Sequence, residues 1–92
     1  ETMVVSISAL KQWRDELRAR LREVDERERR LRQALEEGRI ADEGLRELAW
    51  ERVHILERER WMIEDELAEV EEILQEVMDD GMDNGARQAN QP

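Results

Sequence analysis

His54 is the only histidine in this chain of 92 residues, and imidazole is the side chain best suited to moving protons near neutral pH. Glu51 and Glu57 stand three residues to either side of it, close to one turn away if the segment is helical. The trio has the donors for a weak metal site or an acid–base pair. Either use needs an orienting partner and a pocket that excludes water. The surface of a helix offers neither, so His54 is expected to be a solvated or interface residue.

Two further stretches suggest chemistry and then lose the case in detail. Asp79-Asp80-Gly81-Met82-Asp83-Asn84-Gly85 has the acid and glycine content of a calcium loop. An EF-hand needs an oxygen donor at position three, glycine at six and glutamate at twelve. Counting from Asp80 puts Met82 third and Gln91 twelfth, and counting from Asp79 puts Gly81 third and Asn84 sixth. The plainer expectation is a helix end fraying into a turn. Arg27, Arg29, Arg30 and Arg32 suggest a phosphate-gripping arm, but Glu23, Asp25, Glu26 and Glu28 interleave with them. Phosphate binding needs a net positive face. An RNA-gripping coiled-coil arm is therefore the less favoured third reading, behind docking and regulatory roles.

Composition removes other classes. The chain has no cysteine, which excludes disulfides, thiolate zinc sites and a cysteine nucleophile. There is no glycine-rich phosphate loop and no Ser-His-Asp set. No catalytic residue, metal or cofactor is expected, and the chain reads as non-enzymatic. Its net charge of −10 disfavours general binding to nucleic acid or anionic membrane. No apolar run is long enough to span a bilayer, and Glu1-Thr2-Met3-Val4-Val5 lacks the basic leader and apolar core of a signal peptide. These features lead us to expect a piece of a larger cytoplasmic (intracellular) protein.

The elements that carry these residues follow from periodicity. Apolar residues recur with helical spacing, so the charge-rich composition points to long helices and not to disorder. In the first half, Met3, Leu10, Leu17, Val24 and Leu31 fall at heptad d positions, and Ile7, Arg14, Leu21, Glu28 and Leu35 at a. In the second half, Ala49, Leu56, Ile63, Val70 and Val77 occupy d, and Val53, Arg60, Leu67 and Leu74 occupy a. The two seams are out of phase across residues 36–44, and Gly38 and Gly44 lie near the ends of that break. A phase break with two glycines favours a turn over an unbroken parallel rod. Gly38 suits the left-handed end of the first helix. Asp42 suits the cap of the second, and Ser6 or Ser8 that of the first.

Charge supports the same reversal. Residues 10–35 hold nine basic and six acidic side chains, whereas residues 45–80 hold four basic and thirteen acidic ones. Folding back lays an arginine-rich helix against a glutamate-rich one. If the turn centres near Ile40, facing residues have numbers adding to about 80. Arg14 then meets Glu66 and Glu28 meets Arg52, which pairs the two charges that interrupt the first seam. Acid–base spacings of four brace the first helix at Glu16/Arg20, Glu23/Arg27, Asp25/Arg29, Glu26/Arg30 and Glu28/Arg32. Residues 64–80 carry nine acids and no base, so that stretch is a candidate for meeting a basic partner.

The expected fold is all-α: an antiparallel two-helix coiled-coil hairpin that dimerises into a four-helix bundle. Its parts are an N-terminal flank at 1–5, helix 1 over about 6–37, a turn at 38–42, helix 2 over about 43–79 and a flexible tail at 80–92. Leu48, Ile55 and Met62, spaced by seven, add an apolar ridge to helix 2 outside its seam, and Trp50, His54 and Trp61 add another. Such a helix touches more than one neighbour. Leu48, Trp50, Ile55, Trp61 and Met62 are the expected interface. The function expected is oligomerisation and protein docking, with a second copy and a protein with a basic surface as partners. The alternative is an effector or regulatory hairpin that recognises a small GTPase or another folded protein.

Overall fold

A computed structural model describes the backbone of residues 6–90 and the side chains of residues 6–79. The fold is an all-α, elongated two-helix hairpin. Helix α1 spans Ile7–Glu36 and helix α2 spans Glu43–Asn90. The reversal at 37–42 excludes a straight rod through that stretch. The expected seam residue Met3, and with it the N-terminal flank, lies outside the described residues, as do residues 91–92.

The caps are local and legible. Ser6, not Ser8, caps α1: its Oγ accepts from the Ala9 amide at 3.3 Å. Gly38 takes a φ of +70°, a conformation that costs a residue with a Cβ. This lets the Arg39 amide donate to the Ala34 carbonyl at 3.0 Å and the Gly38 amide to the Leu35 carbonyl at 3.2 Å. Those two bonds satisfy two of the last carbonyls of α1. Asp42 Oδ1 accepts from the Leu45 amide at 2.9 Å and so caps α2. At the other end, α2 continues through residues 80–90, beyond the end near 79 expected from the turn-forming composition. Extending an existing helix fixes one residue per bond, and the only proline is Pro92.

The heptad seams become the core. Leu10, Leu17 and Val24 of α1 are buried against Leu56, Ile63, Val70 and Leu74 of α2, with Leu21, Leu31, Leu67 and Ile73 packed around them. A second cluster beside the turn joins Leu35, Ala49 and Val53, and Ile40 of the loop folds onto it. Ile7 is the exception in α1, remaining exposed near the open end.

Candidate protein-docking faces

One charge sits inside the seam. Glu28 is only 5% exposed. Its Oε1 accepts from Arg60 Nη1 at 2.7 Å and its Oε2 from Arg32 Nε at 2.8 Å. Arg32 also donates from Nη2 to Glu57 Oε1 at 2.8 Å, and Asp25 Oδ1 stands 3.7 Å from Arg60. The bond to Glu28 raises the Arg32 pKa above its usual range. Both carboxylate oxygens are thus satisfied by fixed guanidinium donors, as a buried anion requires.

These partners correct the expected pairings. Glu28 meets Arg60 and not Arg52, and Arg52 lines a groove with Arg27 and Leu56. Arg14 does not meet Glu66. Its Nε donates to the adjacent Asp15 at 3.1 Å, while Glu66 accepts from Trp13 Nε1 at 3.3 Å. The cause is a register offset. On one side of the seam Arg18–Glu71, Glu28–Arg60 and Arg32–Glu57 have numbers adding to 88 or 89, and on the other Trp13–Glu66 adds to 79, so the facing numbers centre near 84, not 80. The loop carries the chain past the end of α1 before α2 begins. The first buried residue of α2 is accordingly Ala49, and Leu45 and Leu48 before it are exposed. Three of the five expected braces form along α1: Glu23–Arg27, Glu26–Arg30 and Glu28–Arg32. Arg29 turns to Glu26 instead of Asp25.

The expected interface residues are all exposed: Leu48 at 60%, Met62 at 72% and Trp61 at 55%, with Trp50 and Ile55 less so. At about 100° per residue, Leu48, Ile55 and Met62 form a ridge on one side of the α2 seam. Trp50, His54 and Trp61 form a ridge on the other. The two flanks differ in chemistry. The tryptophan flank carries the interhelical ion pairs Arg18–Glu71, at 2.8 Å, and Arg32–Glu57. The opposite flank has only the Trp13–Glu66 hydrogen bond between helices, among the described residues. It also carries an apolar groove floored by Leu31, Ala34 and Leu56 and rimmed by Arg27, Arg30 and Arg52. Farther along, Arg20, Glu59 and Met62 line a second groove over Leu17 and Ile63.

His54 stacks on Trp50 with ring centroids 6.5 Å apart, and its Nδ1 is 4.0 Å from Glu57 Oε2. Glu57 is already engaged by Arg32. Among the described residues, no group of three or more His, Cys, Asp or Glu side chains is arranged to hold a metal ion. No described helix is long and apolar enough to cross a membrane.

The role of Arg60 was missed from sequence, although a signal for it existed. Glu28 and Arg60 are opposite charges at a positions of the two helices, and pairing them moves the register beyond 80. The chain matches no protein-family model, no curated protein and no solved structure.

Proposed function

We propose that this hairpin is an oligomerisation and protein-docking segment of a larger intracellular protein. One observation carries the reading. The seam of α2 is already satisfied by α1, yet Leu48, Trp50, Ile55, Trp61 and Met62 remain exposed on the same helix. An apolar, tryptophan-bearing band of this kind marks an interaction surface on a soluble protein. Aromatic anchors in such a band tend to dominate binding energy. Closed homodimers are the commonest oligomers, so a second copy is the first partner.

Sedimentation of the full chain at tens of micromolar tests the reading, together with quenching of Trp61 fluorescence. A dimer with Trp61 or Met62 protected supports it, and Trp61→Glu with Met62→Glu should then give monomers. A monomer with Trp61 open to quencher removes self-association. A dimer indifferent to both substitutions removes this placement of the interface.

A second contact, to a basic protein surface, has its own support. Glu64, Asp65, Glu69, Glu72 and Glu76 have no cationic partner within salt-bridge distance among the described residues, and only Glu71 of that stretch is matched, by Arg18. Like charges spaced by four near a helix C-terminal half are mutually destabilising. A cationic partner would relieve them.

A further inference from the structure

We infer that the groove floored by Leu31, Ala34 and Leu56 docks an acidic amphipathic helix of another protein, which seats an apolar side chain on the floor and a carboxylate between Arg27 and Arg52. This rests on the protein-docking part of the reading above and names its site and the chemistry of its partner.

The packing sets the two arginines against each other. Trp13 and Arg27 hold heptad g positions of α1, and Glu66 and Arg52 hold g positions of α2. Steps of seven from the Trp13–Glu66 bond lead to Arg20 opposite Glu59 and then to Arg27 opposite Arg52. Each of these two pairs lines a shared groove. Residues flanking a coiled-coil seam stabilise it when their charges are opposite. Arg20 meets that rule, whereas Arg27 faces a like charge and is repelled. Arg30 adds a third guanidinium to the same rim. Glu23 holds Arg27 and Glu26 holds Arg30, each at 2.9 Å, in exposed pairs that contribute little. Arg52, on the other wall, makes no ion pair among the described residues.

The floor requires more of the partner than acidity. It is apolar, and the exposed Leu48 and Ile55, four residues before and three after Arg52, extend it outward. An apolar floor ringed by guanidinium groups matches a helix whose apolar anchor is followed one turn later by Asp or Glu. A carboxylate between Arg27 and Arg52 replaces one repulsive contact with two attractive ones. The net charge of −10 opposes an acidic partner at long range, but physiological salt screens it beyond about 8 Å. The groove's own arginines therefore govern the contact. The acid-rich stretch of a second copy cannot supply this helix without opening its own hairpin, because Val70 and Leu74 are buried in the seam.

Arg52→Glu separates the free chain's needs from the partner's. It sets an acid opposite Arg27, so the urea midpoint should rise at one chain concentration, yet it takes away one holder of the carboxylate. The probe is an alanine-based peptide of about 18 residues, long enough to be helical, with leucines seven apart and a glutamate one turn after each. Titration into the full chain is followed by the nuclear magnetic resonance signals of the arginine Nε–H groups and the leucine and alanine methyls. Signals of Arg27, Arg52, Leu31 and Ala34 should move together. The glutamine version of the peptide should bind about fivefold more weakly, and Arg52→Glu should weaken the glutamate peptide about tenfold or more. No movement in the groove at about 1 mM peptide, or equal affinity for the glutamine version, overturns the proposal. A urea midpoint that falls in Arg52→Glu overturns the facing placement of the two arginines. A parent dimer that Arg52→Glu disperses makes a second copy the occupant and overturns the choice of partner. Self-association through Trp61 and Met62 is read separately, by sedimentation without peptide.

Discussion

Replacing Glu28 by alanine leaves the Arg60 guanidinium with only the more distant Asp25, 3.7 Å away. Breaking a fully buried ion pair from one side costs about 3–5 kcal/mol, whereas exposed pairs contribute about 0–1. Glu28 belongs to the first class, with a side chain 6% exposed, but Arg60 keeps 26% of its side chain accessible. The released guanidinium can therefore reach water by extending along its stem. We expect Glu28→Ala to cost about 2–3 kcal/mol, between the two limits. Urea unfolding followed by circular dichroism measures this at one fixed protein concentration, since association adds to stability. With a slope near 1 kcal/mol/M for a small chain, the midpoint falls by about 2–3 M. The companion variant, Glu28→Leu with Arg60→Leu, removes both charges and fills the layer. It should be as stable as the parent or more so, because the desolvation cost of both ions disappears. A loss under about 0.5 kcal/mol for Glu28→Ala would mean that this layer behaves as exposed surface. A double variant as weak as the single one would refute the claim that desolvation opposes the pair.

Other parts of the hairpin give separate tests. Leu17→Ala removes a side chain that is 1% exposed and should cost about 2–5 kcal/mol in the same assay. In Gly38→Ala the new Cβ meets nothing within 4 Å, so the expected loss of about 1–2 kcal/mol comes from the left-handed backbone alone. Asp42→Ala removes the α2 cap and should cost about 1 kcal/mol. Glu26 accepts from Arg29 first and from Arg30 second, and these bonds hold its pKa below the ordinary 4.5. A lowered carboxylate pKa contributes stability that is complete above the unfolded value and lost as pH falls through the folded one. Between pH 7 and 5 the Glu26 contribution should stay flat, then decline below pH 4.5. Glu26→Gln should flatten that part of a pH titration of stability.

Much of the hairpin was legible in the chain because its determinants are local. A seven-residue repeat brings the seam residues to one stripe whatever lies opposite, and all the buried apolar positions of the core sit on that repeat. Gly38 and Asp42 announced the turn through backbone geometry and capping, which depend on a few neighbouring residues. The exposed ridge of Leu48, Ile55 and Met62 was legible for the same reason, since residues spaced by seven line up on any helix.

The register between the helices was not legible in this way. It depends on how far the loop carries the chain past the end of α1, and several offsets each bury a similar apolar stripe. Only the three-dimensional fit of Glu28 between Arg32 and Arg60, with Ile40 folded onto Leu35, Ala49 and Val53, selects one of them. That offset also decided which flank is closed by ion pairs and which keeps an open groove. Sequence by itself thus determined two amphipathic helices and the place of their reversal, because periodicity and capping act over single turns. The tertiary structure decided which charges meet, because a contact between helices depends on distances that no local pattern encodes.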